Sequence, residues 1–540
     1  MKYPCIRLMV AGCAGFVCLT CLGQSAPTFT PVTSVSGPTP QHIYALDVNN
    51  DGLSDIIQDS ANPGITGSFF SVSINTGNGV FAPPVTYKIN SSTWVPINWG
   101  DFNNDGKVDI AVVLPATDQV AVYLGNGDGT FQQPITTSID LPSGMNLGLF
   151  DSFPSVVVAD FNHDGNIDLV TEANNGNVSG GTWTIYLLEG NGKGGFNSSP
   201  ISIYAPTSGW AVQGLFGGDF DTDGNADVTL FEQMWCSDGV VVCSSNVITL
   251  FGNGDTTFDP VDVTQVNGNI TLASADLNHD GATDLYGLQI GDTEPGDYGV
   301  NPGQLRLAVY LGHYDRKFSY LYTDIPNDGG SISYPFAAAD FDGTGNGALA
   351  ALSATYNNNG VVDYQLMYFL NPGTPKVSIV YGPSPAGTGG YQTGPVVGNF
   401  NGDAEPDIAV NNSATDNSAT SALAVGLNTT SGFYGSCDYP KSGQGIHVCT
   451  PVPDESNPGP PSSFAVTANS FGQLRKIELW VDGAKLGEQS FIWGQSGYFN
   501  NSYPGISAGN HFGTIYAADV DDRLQRYDFN FTVSGSTGSN

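Results

Sequence analysis

Positive charge is what this sequence has least of. Only 15 Lys and Arg stand against 51 Asp and Glu in 540 residues, a formal net charge of −36, and His contributes just 6 positions. A surface this acidic repels phosphate backbones and anionic lipid, which sets nucleic acid aside as a partner. Long apolar runs are nearly absent too. One runs from Leu8 to Leu22 behind Lys2 and Arg7, with small residues Cys21 and Gly23 suited to cleavage, and it reads as an export signal over residues 1–26. No other span approaches the roughly 20 apolar residues of a membrane helix, so no transmembrane segment is expected and the chain is placed as secreted, periplasmic or at the cell surface. Val10-Ala11-Gly12-Cys13 has the letters of a lipoprotein box, but almost no apolar segment precedes it.

Helical periodicity is missing as well. Gly 70, Pro 33 and abundant Asn-Gly and Asp-Gly pairs among Val, Ile, Thr and Tyr point to short strands and many turns. Cysteine is sparse: Cys5, Cys13, Cys18 and Cys21 fall in the signal, leaving Cys236, Cys243, Cys437 and Cys449. Three pairings are open; closeness in sequence favours Cys236 with Cys243 and Cys437 with Cys449 in an oxidising compartment.

What the chain has in quantity is one acidic nine-residue loop. Copies begin at Asp47, Asp101, Asp160, Asp219 and Asp276 (DVNNDGLSD, DFNNDGKVD, DFNHDGNID, DFDTDGNAD, DLNHDGATD), with weaker ones over Asp340–Ala348 and Asn399–Asp407; the starts lie 54, 59, 59, 57, 64 and 59 residues apart. These loops hold 20 of the Asp residues, so the acid excess is clustered rather than spread. Around each loop the plan repeats: a strand before it, a strand after it, a third ending in a Gly-Asn-Gly turn, and a fourth beginning with Phe, as in Ile97–Asp101, Asp109–Leu114, Gln119–Gly125 and Phe131–Ile139. Four short strands per repeat suit a propeller blade, and the period is too long for a β-helix.

The acidic loop followed by "LGNGDGTF" resembles FG-GAP/VCBS repeats, the propeller repeats of integrin α-subunits. The resemblance covers roughly residues 27–430 and implies an all-β fold, a seven-bladed β-propeller over residues 27–432 with Ca2+ in the loops. The first strand, Thr28–Val32, copies the opening of a fourth strand and is expected to pair beside Ala422–Leu427, closing the ring by a split blade.

Calcium takes six to eight oxygens, and side chains 1, 3, 5 and 9 with carbonyl 7 can supply them. The ligands would be Asp47, Asn49, Asp51, Leu53 and Asp55; Asp101, Asn103, Asp105, Lys107 and Asp109; Asp160, Asn162, Asp164, Asn166 and Asp168; Asp219, Asp221, Asp223, Asn225 and Asp227; and Asp276, Asn278, Asp280, Ala282 and Asp284. Gly at position 6 allows the positive φ of the turn, and Lys107 has to point outward. EF-hand loops begin alike but need an acid at position 12, where this chain has Gln58, Val112, Thr171, Leu230 and Gly287. The sixth loop has Thr344 and Ala348 at ligand positions and is expected to be empty or weak. The seventh, with Asn399, Asn401, Asp403, Glu405 and Asp407, is a weak candidate. About five Ca2+ sites are expected, with a sixth in that loop.

Beyond Phe433 the repeat stops. Residues 433–462 are a Pro-rich junction pinned by Cys437 and Cys449, and residues 463–540, with "LWVDG" and "AGNH", resemble a bacterial immunoglobulin-like domain, a small β-sandwich. No Gly-x-Ser-x-Gly, His-Glu-x-x-His or P-loop occurs, and no enzyme is expected. His163 and His279 sit at position 4 of acidic loops, a solvent-facing place, and Asp416, Ser418 and Thr420 match D-x-S-x-T only by letter. The favoured function is a binding or adhesion module for a carbohydrate or protein ligand; the alternative is a calcium-dependent polysaccharide lyase, for which 13 basic residues in the mature chain are few. The ligand face is expected opposite the loops, with Trp94, Trp210, Trp235, Tyr298 and Tyr356 as candidates alongside Phe150, Phe153 and Tyr391.

Overall fold

The computed structural model describes residues 26–533 apart from 38–39, 62–66, 149–155, 177–180, 236–241, 260–261, 267–268, 279–281, 291–304, 327–330, 333–335, 340, 342–347, 357–361, 389–390, 393, 403–404, 414–420, 430–444, 452–455, 458–463, 470–473, 491–495, 502, 504–505, 508 and 520–523. Residues 1–25 of the segment expected to be an export signal thus lie outside the described residues. Every regular element among the described residues is a strand. Among the described residues there is no helix long and apolar enough to cross a membrane.

Seven antiparallel sheets follow one another along residues 29–428. The second is typical: Asn98–Gly100, Asp109–Leu114, Gln119–Tyr123 and Ile135–Ser138, paired in that order. The strand straight after the acidic loop is buried, along its whole length in Asp109–Leu114 and Asp168–Asn174. That burial explains its near-continuous apolar lettering. The fourth strand starts later than the sequence suggests, because Phe81, Phe131, Phe196 and Phe258 each make only an isolated bridge back across the hairpin. Their rings instead fill the space between sheets: Phe131 packs edge-on to Phe70 of the preceding sheet and Phe196 to Phe102.

The hydrophobic core is divided into clusters that lie between consecutive sheets. Ile57, Phe70 and Val72 meet Ile110, Val112 and Tyr123 between the first and second, and the sequence of interfaces continues to Leu366 and Tyr368 against Ile408 and Val410 between the sixth and seventh. A further cluster joins Phe400, Ala409 and Val425 of the seventh to Ile43, Ile56 and Phe81 of the first. The series therefore closes on itself. The strand Phe29–Gly37 completes the closure, pairing antiparallel with Ser421–Asn428 from Phe29 opposite Asn428 to Gly37 opposite Ser421, as the copied fourth-strand sequence predicts.

The tail forms two more sheets. Gly445–Thr450, Phe464–Asn469 and Ser496–Asn501 make one; Leu474–Val481, Ala484–Ser490, Gly509–Asp519, Leu524–Val533 and Ser456–Asn457 make the other. Phe464, Val466 and Phe499 of one sheet share a core with Ile477, Ile515 and Phe531 of the other. Gly445–Thr450, in the segment the sequence assigns to the junction, already belongs to this core through Val448. Cys449 on that strand is disulfide-bonded; Cys437 and Cys236 lie outside the described residues, as does the side chain of Cys243.

Candidate metal centres in the acidic loops

The acidic loops share one construction, and its keystone is the last residue. Asp55, Asp109, Asp168, Asp227, Asp284 and Asp407 are fully buried. Each uses one carboxylate oxygen to accept the N–H of loop position 2, from Val48, Phe102, Phe161, Phe220, Leu277 and Phe400 at 2.8–3.1 Å. The other oxygen accepts the N–H of the first hairpin residue, from Asn75, Gly125, Gly190, Gly252, Gly312 and Asn428 at 2.7–2.9 Å. Acidic loop and hairpin are thereby fastened at one end of each sheet.

The hairpin opens with Gly for a steric reason. A Cβ on Gly125, Gly190 or Gly252 would lie 2.0–2.2 Å from the carbonyl oxygen of loop position 8 (Val108, Ile167, Ala226). Where Asn stands instead, its amide becomes a strap: Asn75 Nδ2 donates to the carbonyls of Ser54 and Phe400, and Asn428 Nδ2 to those of Phe341 and Pro406. Both straps reach the preceding sheet of the closed series.

Position 1 shapes the turn. Asp101 accepts the N–H groups of Asp105 at 3.0 Å and Gly106 at 2.7 Å, and Asp47, Asp160 and Asp219 do the same in their loops. At position 3, Asn49, Asn103, Asn162 and Asp221 each accept the N–H of position 5. Position 5 accepts the N–H of Leu53, Lys107, Asn166 or Asn225 at position 7. Gly52, Gly106, Gly165 and Gly224 at position 6 have φ between +81° and +89°, as the turn requires. Position 4 is left-handed too, in Asn50, Asn104, His163 and Thr222 (φ +56° to +63°). Asn104 Nδ2 reaches Asn166 Oδ1 of the next loop at 2.9 Å, and His163 Nε2 lies 3.1 Å from Asn225 Oδ1. His163 is exposed, as expected for position 4, and it also ties neighbouring loops together; His279 lies outside the described residues.

This network concentrates negative charge. Carboxylate oxygens of Asp219, Asp221 and Asp227 lie within 4.8 Å of one another. Burial first, and neighbouring carboxylates after it, push Asp47 up to about 6, Asp109 and Asp168 up to about 7 and Asp227 up to about 8; Asp55 and Asp160 also rise, chiefly by burial. An all-oxygen set of this kind could hold a hard divalent cation, which would offset that repulsion. Lys107 does not point away: its ammonium returns to Asp105 Oδ2 at 3.3 Å, a part-exposed pair of small energetic weight. In the fifth loop Asp276 and Asp284 are buried, Asn278 and Ala282 are in place, and Asp280 lies outside the described residues. Most of the sixth loop and Asp403 lie outside them as well. Asn399 faces the first sheet: its side-chain amide donates to the Gly52 carbonyl, its backbone N–H donates to Ser54 Oγ, and its carbonyl accepts the Ser54 N–H. Asn401 and Glu405 lie on either side of the stretch that includes Asp403.

Position 9 and position 5 are separable by mutation. Asp109→Asn puts an amide N–H against one of two backbone donors and should cost about 3 kcal/mol of stability even in chelator. Asp105→Asn should cost less than about 1 kcal/mol there. Urea unfolding of both variants in EDTA measures the difference; equal losses would mean that Asp109 is no clasp.

At the other end of the sheets, Trp94 and Trp210 are half-buried, and the Trp94 ring lies 5.1 Å from that of His42. Trp235 and Tyr356 end strands whose final side chains are outside the described residues, and Tyr298 is outside them altogether. The structure also exposes aromatic residues the sequence did not single out, Tyr320 and Tyr322 on Ser319–Asp324, with Arg306 stacked 3.8 Å over the Tyr322 ring.

The FG-GAP-like repeat family model matches residues 101–171. No curated protein matches the chain in sequence. Among solved structures, a mutant of the α-L-arabinofuranosidase Arb93A from Fusarium graminearum, in complex with an iminosugar inhibitor, is similar at 11% identity and a TM-score of 0.37, over 61% of this chain and 94% of that one. A mutant of the Synechocystis apocarotenoid oxygenase is similar at 12% identity and a TM-score of 0.32, over 75% and 94%. Those scores are too low to carry either protein's chemistry across. The repeat match and the run of antiparallel sheets of four or five strands make the chain a β-propeller-like repeat protein.

Proposed function

We propose that the chain is an exported β-propeller of seven blades, braced by Ca2+ in its acidic loops, with an immunoglobulin-like module from about residue 463, and that it works as a binding or adhesion module. The observation that carries the calcium reading is the shared loop geometry: a fully buried carboxylate at position 9 and an Asp at position 1 bonded to the same backbone donors from loop to loop, with the carboxylates of Asp219, Asp221 and Asp227 gathered within 4.8 Å in the fourth. Calcium is the cation whose coordination suits so many oxygens in a turn built from backbone and Asp. The first five loops are the sites, with the seventh as a sixth. The pairing of Cys449 with Cys437 and of Cys236 with Cys243 belongs to the same reading of an oxidising destination.

Binding is favoured over catalysis by the contrast between the two ends of the sheets. One end is spent on loops and hairpins that hold each other; the opposite end presents half-buried Trp94 and Trp210, and indole rings with one accessible face suit stacking on a sugar or seating a protein side chain. A glycan array probed with the full chain, with and without calcium, tests this. Retention on a defined glycan class, lost in Trp210→Ala with the melting temperature unchanged, supports a recognition face. Binding unaffected by Trp210→Ala places the ligand elsewhere, and degradation of a bound polysaccharide would make the chain a lyase.

A further inference from the structure

The fourth acidic loop differs from its neighbours in two respects, and the two meet in space. Position 3 is Asp221, where the first, second, third, fifth and seventh loops have Asn49, Asn103, Asn162, Asn278 and Asn401. The loop therefore carries one carboxylate more than the other strong copies. The second difference is 95 residues away, in the hairpin of the fifth sheet.

The fifth residue of the hairpin is left-handed in each of the first five sheets: Gly79, Gly129, Gly194, Thr256 and Arg316 have φ of +70°, +82°, +78°, +68° and +64°. Its Cβ direction aims at the preceding sheet. A Cβ on Gly129 would meet Ile74 of the first sheet, and one on Gly194 would meet Leu124 of the second. Arg316 sends a long cationic side chain along this path, at a backbone conformation that a non-glycine residue keeps only where its surroundings hold it.

Those surroundings are three carboxylates. Arg316 Nε donates to Asp221 Oδ2 at 2.6 Å, Nη1 donates to Asp259, and Nη2 lies 3.7 Å from Asp223 Oδ2. The guanidinium lies 4.8 Å over the ring of Phe251. Asp221 and Asp223 are positions 3 and 5 of the loop, and Asp221 is nearly inaccessible. Planar and permanently charged, an arginine is suited to bridging several carboxylates at once.

We propose that Arg316 is a tethered counter-cation of the fourth loop, set against the extra carboxylate of Asp221, so that this loop keeps its shape without calcium and yields its calcium before the others. The proposal rests on the reading of the loops as calcium sites. With Arg316 in place the fourth loop has four carboxylates and one fixed positive charge, the net charge of loops one, three and five; loop two, where Lys107 sits on Asp105, has one negative charge fewer. The difference is that both its position 3 and its position 5 are partnered, where loop two has only the exposed Lys107 on Asp105 at position 5, and a calcium ion there has to share the nearly inaccessible Asp221 with a guanidinium and endure the repulsion.

The test is calcium titration of the full chain by calorimetry, together with melting in EDTA. Arg316→Gly installs the residue of three sister hairpins and relieves the backbone. One calcium site should then leave the weakest class and bind about tenfold tighter or more, while the melting temperature in EDTA falls despite the relieved strain. Adding Asp221→Asn should restore the EDTA melting temperature and return the site to the class of the other loops. If the chain binds calcium and Arg316→Gly leaves either quantity unchanged, the proposal is overturned. If the wild-type chain takes up no calcium, the calcium reading of the loops falls instead, and the EDTA melt of Arg316→Gly alone decides whether Arg316 is a counter-cation.

Discussion

Chelation with EDTA should lower the main melting transition by roughly 10 °C or more and leave the transition of the tail in place. A ligand that binds only the folded chain adds about 2.7 kcal/mol per site when it is a hundredfold above its dissociation constant. Five such sites in one cooperative unit contribute more than about 10 kcal/mol, which in a unit of this size is a shift of that order. The tail has a core of its own, drawn from Val448 to Val533, and the acidic nonapeptide does not recur in its sequence. Differential scanning calorimetry with and without EDTA resolves the two. A main transition that does not move would end the calcium reading.

The same carboxylates give the calcium-free chain a distinctive pH dependence. Asp47, Asp109, Asp168 and Asp227 are raised to about 6, 7, 7 and 8, first by burial, against about 3.9 in an unfolded chain. A group whose folded value is the higher one binds its proton more tightly when folded. Its contribution to stability is therefore complete below about pH 4 and is lost as pH rises towards 8. In EDTA, stability should fall across that window; in calcium, where the cation takes the place of the protons, the curve should be flatter. Chemical denaturation at a series of pH values compares them.

Much of this was legible because the loop is a local device. Positions 1, 3, 5 and 6 act on backbone within five residues, so their letters carry their roles, and the spacing of the copies announces the repeat. Position 9 is where the letters mislead by omission. An Asp there suits a metal ligand, yet both of its oxygens are also the anchor for a hairpin 16 to 28 residues further on, and nothing local distinguishes the two duties. The Gly of the Gly-Asn-Gly turn is explained only by a carbonyl in the acidic loop, and the Phe after it by a ring in the previous sheet. Arg316 is the extreme case. In sequence it is one basic residue in an irregular hairpin, GHYDRKF, and its meaning depends on Asp221 and Asp259 across a sheet boundary. A comparison of hairpins would have raised the question, since Arg stands where Gly79, Gly129 and Gly194 do.

Removing the closing strand should cost roughly half of what removing calcium does, and by a different route. Phe29–Gly37 covers the edge of Ser421–Asn428 over eight paired residues, and Phe29 stacks on Tyr368 at 6.3 Å and meets Phe341 edge-on at 6.4 Å, so it seals the space between the sixth and seventh sheets. The lost ladder bonds and the unburied ring amount to about 5–7 kcal/mol. The strand left bare is also apolar and β-rich, with Ala422 to Leu427 offering an open row of N–H and C=O groups to another chain. A chain beginning at residue 40 should melt roughly 6 to 8 °C lower than one beginning at residue 26 and should self-associate at concentrations where the longer chain does not. A synthetic peptide of residues 27–37, added in trans, should restore the melting temperature and suppress association, and the same peptide with Phe29→Ala and Val32→Lys should do neither. If the shortened chain melts with the full one, the closure through residues 29–37 contributes nothing to stability, and the cores between the sheets alone hold the series closed.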